Sequence, residues 1–381
     1  MTSTTTTTMK ALRQHRQYEP LVVEEVAIPT AEPGSAVLEV LAAGVISYTR
    51  DVYDGTRKYP YVTPLTTGSS AIGRIHAVGP DSTKLQKGQL VLFDITVRSR
   101  DDSSHVFLSA IISGFTEGSR KLMQHWADGT YAEYVKAPLE NVFALDEARL
   151  MGELGYKIPD LLSMTRLLVP WGGLIDINLA PGETVVVAPA TGSFGTGAVQ
   201  LALAMGARVI AMGRNARVLA QLREKFSEQY PADRLLTVPI TGNLEEEMTA
   251  LKAAAGTRPI DAFYDISPDA ATNATYFKAA IMSLRHSGRI SLMGGQRSED
   301  VKIPYHRVMH WNLQLKGKWM YEREDVPKFL RLVEAGNLSL GGRAGAAAVK
   351  EFSLEQWKEA FDYASEHASD GQGTCLVPAK A

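Results

Sequence analysis

Between Glu183 and Asn215 the hydrophobic positions change period twice. Thr184–Val187 is a β-branched run suited to a strand covered on both faces. Ala190-Thr191-Gly192-Ser193-Phe194-Gly195 forms a glycine-rich turn, and an apolar helical pattern runs from Thr196 to Met205. Gly206 closes that helix, and a second buried strand, Ala207–Met212, begins at once. This is a βαβ unit with its glycines in the first turn. There the backbone can approach a pyrophosphate, and the free N–H groups of the helix start can hold its charge. The turn reads AxGxxG, because Ala190 stands where the first glycine is usual. The strand before it and the helix and strand after it make the pattern specific.

Ahead of this unit, residues 9–90 alternate short β-type runs with Gly/Pro turns. Leu21–Ala27, Ala36–Ala42, Ala71–Val78 and Gln89–Phe93 read as strands of an all-β, barrel-like module. Thr96–Ser104 reads as a loop, Val106–Ser113 is apolar, and Gly129–Val135 returns to strand character. From Pro159 the pattern turns helical. After the glycine turn come a helix at Val218–Phe226, a strand at Leu235–Val238 and a helix at Leu244–Ala255. A strand at Ala262–Asp265, a helix at Tyr276–Leu284 and a strand at Arg289–Gly294 follow. This alternation predicts a six-stranded, doubly wound parallel sheet. Helices at Val326–Ala335 and Leu354–Glu366 and a closing strand at Thr374–Pro378 complete the chain, the last strand returning to the first module.

The length, 381 residues, suffices for two domains with full cores. Forty basic against 42 acidic residues give a net charge of −2, which points to neither nucleic acid nor an anionic membrane as partner. A single cysteine, Cys375, excludes an internal disulfide and a cysteine-cluster zinc site. Residues 1–8 form a Ser/Thr tract without the apolar run of a signal peptide and are expected to be a disordered tail. No run of 18 apolar residues occurs, and a cytoplasmic protein is the expectation.

Which dinucleotide binds is decided just past the second strand. An acidic residue there would accept hydrogen bonds from the adenosine ribose. This chain has Gly213-Arg214-Asn215 with Arg217 close behind and no acid until Glu224. A guanidinium pairs with a 2′-phosphate that a carboxylate would repel, so NADP(H) is favoured. The competing reading is that Arg214 and Arg217 merely solvate a helix start.

The order of parts resembles the medium-chain dehydrogenase/reductase superfamily. The resemblance rests on Met9-Lys10-Ala11, Pro33-Gly34, Ala42-Ala43-Gly44-Val45, Gly55, Val78-Gly79, Lys87-Gly88, Gly182-Glu183, the AxGxxG turn, and Gly288-Arg289 before Gly294. It implies an α/β fold with a GroES-like β-barrel catalytic domain (9–160 and 321–381) and a Rossmann doubly wound parallel sheet (161–320). The resemblance also assigns cofactor contacts to Thr165, Thr191, Gly192, Ser193, Phe194 and Gly195, and to Gly213, Arg214, Asn215 and Arg217. Asp265, Ile266, Ser267, Gly294 and Gly295 complete that set. A homodimer through Rossmann edge strands is implied as well, with Asp300–Pro304 as candidate edge.

Zinc-dependent members carry metal ligands at positions that match Ile46, Ser69 and Leu161 here, none of which can ligate zinc. His306 and His310 would share a helix face but lack a third ligand, so no metal is expected. The chain therefore looks like the zinc-independent quinone-reductase and enoyl-reductase branch. Without a Lewis acid, hydride transfer is easier to a C=C conjugated with a carbonyl, because charge spreads onto an enolate that a few donors can stabilise. Tyr48 is the first candidate donor, followed by Ser47, Thr49 and Tyr53. The branch usually has Asn-Pro-x-Asp and then a tyrosine here; Ile46–Asp51 departs from it. Residues 95–128, with Phe107, Phe115, Met123 and Trp126, would wall a small-molecule substrate pocket or simply pack. Three functions compete: an NADPH-dependent reductase of an activated alkene, a metal-free carbonyl reductase or alcohol dehydrogenase on the same cofactor, and a dinucleotide-binding protein without turnover.

Overall fold

The structure is a computed structural model that describes residues 7–268, 271, 274–295, 300–345, 347–367 and 372–379. The chain divides into two units, residues 1–165 with 340–381, and residues 166–339. The C-terminal return thus begins at Leu340, not at residue 321. The reason is local: the indole of Trp171 donates to the Asp325 carbonyl at 3.0 Å and its ring meets Phe329, which ties the helix Asp325–Glu334 to the second unit.

The first unit is built on the strand Ser35–Gly44, whose residues are mostly buried. It pairs antiparallel with Ala71–Val78, with Tyr134–Pro138 and with the C-terminal strand Thr374–Leu376. The expected return of the chain end to the first module is therefore present. A three-stranded sheet of Val22–Ala27, Thr8–Gln14 and Leu65–Thr66 stands beside it. Thr8 already belongs to a strand; the rest of the expected tail, apart from Thr7, lies outside the described residues. Leu12, Leu38, Val40, Ile75, Val91, Phe93, Phe107 and Tyr131 fill the core, and Phe361 from the C-terminal helix Trp357–Glu366 joins them. Phe107 and Met123 are packing residues, whereas Phe115 is 74% exposed. Thr96–Arg98, expected as loop, pairs with Val106–Leu108, and Glu117–His125 is helical.

The second unit holds six parallel strands. In chain order its elements are α1 (Ser163–Asp176, belonging to this unit from Arg166 on), β1 (Thr184–Ala188), α2 (Ser193–Ala204), β2 (Arg208–Gly213), α3 (Ala216–Ser227) and β3 (Leu235–Pro239). Then follow α4 (Leu244–Ala255), β4 (Ala262–Asp265), α5 (Thr275–Ser283), β5 (Arg289–Leu292), α6 (Tyr305–His310), β6 (Gln314–Gly317) and α7 (Asp325–Glu334). The sheet order is β3-β2-β1-β4-β5-β6. It reverses between β1 and β4, and the carboxyl ends of these strands form the crevice where such sheets bind ligands. Val185, Val186 and Val187 are wholly buried, as a central parallel strand requires. Residues 300–304 contain no strand; the edge of the sheet is β6, whose sequence Gln-Leu-Lys-Gly carries too little β character to stand out. Among the described residues no helix is long and apolar enough to cross a membrane.

Candidate functional site

At the head of β1 the chain makes the turn that the sequence anticipates. Gly192 is the N-cap of α2, and the Thr196 hydroxyl donates back to the Ala190 carbonyl at 3.1 Å, which fixes the turn. The amides of Ser193, Phe194 and Gly195 head the helix, where they have no intrahelical acceptor. Gly192 is exposed, and a Cβ on it would meet nothing within 4 Å. Gly195 differs, since a Cβ there would overlap the Pro189 carbonyl oxygen. Gly213, ending β2, lets Thr191 approach so closely that a Cβ would stand 2.6 Å from its methyl carbon. An open cradle with free amides beneath it fits a pyrophosphate.

Beyond β2, Arg214 and Arg217 are exposed and have no ion pair with any described residue. Asn215, expected only as a cofactor contact, also caps a helix. Its side-chain oxygen accepts from the Arg217 and Val218 amides at 3.0 and 3.2 Å, capping α3. Along the crevice the ends of β1, β4 and β5 are stitched by the Ile266 amide to the Ala188 carbonyl (3.1 Å) and the Gly295 amide to the Ser267 carbonyl (3.0 Å). Asp265, Ile266, Ser267, Gly294 and Gly295 therefore meet at one sheet edge, as expected. The Asp265 carboxylate is buried and takes the Ser267 hydroxyl, which in turn lies 2.6 Å from the Tyr276 hydroxyl. Asp265 thus shapes the crevice from within. Thr165 falls in the first unit, and its hydroxyl donates to the Leu162 carbonyl at 2.8 Å.

In the first unit the strand Ser35–Gly44 runs into a turn and the short helix Thr49–Tyr53. The Thr49 hydroxyl oxygen accepts the Ile46 amide at 3.1 Å, so Thr49 is buried and engaged. Tyr53 is a correction to the expected donor set. Its hydroxyl donates to the Ala110 carbonyl and accepts the Gly68 amide, both at 3.0 Å, inside the core. Replacing Tyr53→Phe should orphan both backbone groups and cost about 1–3 kcal/mol of stability. A urea melt checks it, and an unchanged midpoint would show that the bridge is not needed. Tyr131, which the sequence did not single out, donates its hydroxyl to the Gly44 carbonyl at 2.9 Å beside Thr49. Ser47 and Tyr48 are half-buried, and their hydroxyls have no partner among the described residues. The Tyr48 ring sits edge-on to Tyr59 with the Arg57 guanidinium 4.2 Å from its centroid. Burial pushes its phenol up to about 12.

Ile46, Thr49, Val52, Tyr53, Gly68, Ser69, Ile111 and Tyr131 enclose a void of about 10 Å³, on the scale of one water molecule. Its lining offers a zinc ion no thiolate, imidazole or carboxylate, so zinc does not fit this donor set. Leu161 is fully buried and does not line the void. His306 and His310 do share a helix, where His310 Nδ1 lies 3.0 Å from the His306 carbonyl oxygen. No group of three metal-ligating side chains occurs among the described residues.

A GroES-like β unit joined to a six-stranded Rossmann sheet with a glycine cradle defines a class of two-unit, nicotinamide-dependent oxidoreductases. Comparison with known proteins agrees. Residues 194–335 match the family described as zinc-binding dehydrogenase, and residues 32–147 the alcohol dehydrogenase GroES-like domain. The chain is 23% identical to an L-threonine 3-dehydrogenase of Anaeromyxobacter dehalogenans over 93% of this chain and 95% of that one. It is likewise 23% identical to an NAD-dependent alcohol dehydrogenase of Saccharolobus solfataricus, over 97% of this chain and 100% of that one. A putative zinc-binding dehydrogenase from Sinorhizobium meliloti 1021, solved bound to NADP, superposes with a TM-score of 0.73 at 20% identity, covering 98% of this chain and 100% of that one. The chain belongs to the medium-chain dehydrogenase/reductase superfamily and is an oxidoreductase of that type.

One further side chain stands at the cradle that sequence reasoning passed over. Arg166 donates through Nη1 to the Ser193 carbonyl at 2.6 Å. The only signal in the sequence is a lone cation inside the apolar run from Leu161 to Leu168.

Proposed function

We propose that this chain is an NADPH-dependent reductase that works without zinc and delivers hydride to a C=C conjugated with a carbonyl, in an enone, a quinone or an enoyl thioester. The observation that carries the proposal is the donor set around Ile46 and Ser69. It offers no metal ligand, and it leaves the Ser47 and Tyr48 hydroxyls unengaged. When bound, the reduced nicotinamide supplies the hydride. The amides at Ser193–Gly195 hold the pyrophosphate, and Arg214 and Arg217, lacking carboxylate partners, take the 2′-phosphate. Tyr48, whose phenol burial pushes up to about 12, donates a hydrogen bond to the enolate oxygen as charge develops.

A metal-free carbonyl reductase or alcohol dehydrogenase is the second reading, and the names of the threonine and alcohol dehydrogenase relatives favour it. NADPH oxidation against a panel of enones, quinones, enoyl thioesters and aldehydes separates the two, with elemental analysis of the same preparation. The expected result is turnover of the conjugated substrates by protein without stoichiometric zinc. Turnover confined to aldehydes, or activity lost to a chelator and restored by zinc, would overturn the proposal.

A further inference from the structure

A cation stands beside the first turn of α2 with no ion-pair partner among the described residues. Arg166, near the start of α1, reaches across to the Ser193 carbonyl, and a Cβ on Gly197 would lie 3.5 Å from the same Nη1. The guanidinium is therefore pressed against the flank of α2 within one turn of its N-terminus. Its remaining donors have no acceptor among the described residues, and neither Arg166 nor Lys225 forms an ion pair with any of them. Lys225, in the last turn of α3, is half-buried and close enough to feel the Arg166 charge. Burial lowers the pKa of Arg166, and burial followed by Arg166 itself lowers that of Lys225. The positive end of the α2 dipole adds to the same field. The guanidinium and the helix start are two positive sources on one flank, and neither is bonded to a protein anion among the described residues, which preorganises that flank for an external one.

We infer that Arg166 is a phosphate-binding residue of the dinucleotide site: one guanidinium nitrogen is anchored on the Ser193 carbonyl and the others engage a pyrophosphate oxygen. The inference rests on the cofactor reading given above. It adds a side-chain ligand where backbone amides alone were expected. It also divides the labour between two arginines. Arg214 reads the 2′-phosphate and so discriminates NADPH from NADH, while Arg166 grips the pyrophosphate that both share.

The test is a fluorescence titration of the full chain with NADPH and with NADH, at two ionic strengths, for wild type, Arg166→Ala and Arg166→Gln. Losing one charge-assisted hydrogen bond should weaken both nucleotides by the same factor, about tenfold or more. The salt dependence of binding should become shallower, since one cation no longer meets the phosphates. Arg166→Gln keeps a donor for the Ser193 carbonyl but has no charge, and it should bind as weakly as Arg166→Ala. Unchanged affinity in Arg166→Ala overturns the inference, as does a loss for NADPH alone. Wild-type affinity in Arg166→Gln would reduce the arginine to a brace for the helix and overturns it too. A wild-type protein that binds neither nucleotide brings down the cofactor reading itself, and this inference with it.

Discussion

Gly195→Ala is expected to abolish measurable dinucleotide binding and to lower stability by about 1–3 kcal/mol, near the upper end of that range. The added methyl would collide with the Pro189 carbonyl oxygen, and the Ala190 Cα and carbonyl carbon stand only 3.0 and 3.1 Å from it. All three are backbone atoms, so no side-chain rotation can relieve the overlap. The first turn of α2 must instead move off the end of β1, and it carries with it the amides proposed to hold the pyrophosphate. Gly192→Ala provides the control. A Cβ there meets nothing within 4 Å, so that variant should keep its melting midpoint. Denaturant melts and nucleotide titrations of both variants check the contrast. Equal behaviour of the two would show that close packing at Gly195 is not what the turn requires.

Arg214→Ala should raise the dissociation constant for NADPH by about 10–100-fold and leave that for NADH nearly unchanged. A hydrogen bond to a charged group is worth about 1.5–3 kcal/mol, and this one is present only when the ribose carries its phosphate. Arg214 is exposed, which places the effect at the lower end in high salt, because mobile ions screen an open site. Arg217, three positions further and also without an ion pair, should add a smaller loss of the same selectivity when it is replaced in the Arg214→Ala background. Isothermal titration with both nucleotides decides the matter. Parallel weakening of NADPH and NADH would remove Arg214 from the 2′-phosphate and reopen the choice of cofactor.

Much of the second unit was written into the order of residues. Each strand of a parallel sheet buried on both faces must be a continuous apolar run, and each intervening helix must be amphipathic. Thr184–Ala188, Leu244–Ala255 and Ala262–Asp265 accordingly fall within a residue of where periodicity places them. Gly192 and Gly195 were legible for the same reason, since a βαβ turn constrains local chain chemistry. β6 was not legible, because Gln314–Gly317 becomes a strand only by pairing with β5. Nor was the helix Glu117–His125, in a stretch that the sequence marked only as pocket wall or packing.

The substrate-side chemistry was decided by tertiary contacts. Sequence put Tyr48 first and Ser47, Thr49 and Tyr53 after it, four hydroxyls in one loop with nothing local to say which are engaged. Folding brings Ala110 and Gly68 to Tyr53 and closes Thr49 on Ile46, which leaves Ser47 and Tyr48 as the unengaged pair. Asn215 was drawn off to a helix cap, and Arg166 was set against Ser193 from 27 positions away. A hydrogen bond spends a side chain's donors on whichever partner the fold supplies, and that partner is distant in sequence. Local order therefore dictated the glycine turn of the βαβ unit, while which hydroxyls and guanidiniums stay unengaged was selected by the packing of the chain around them.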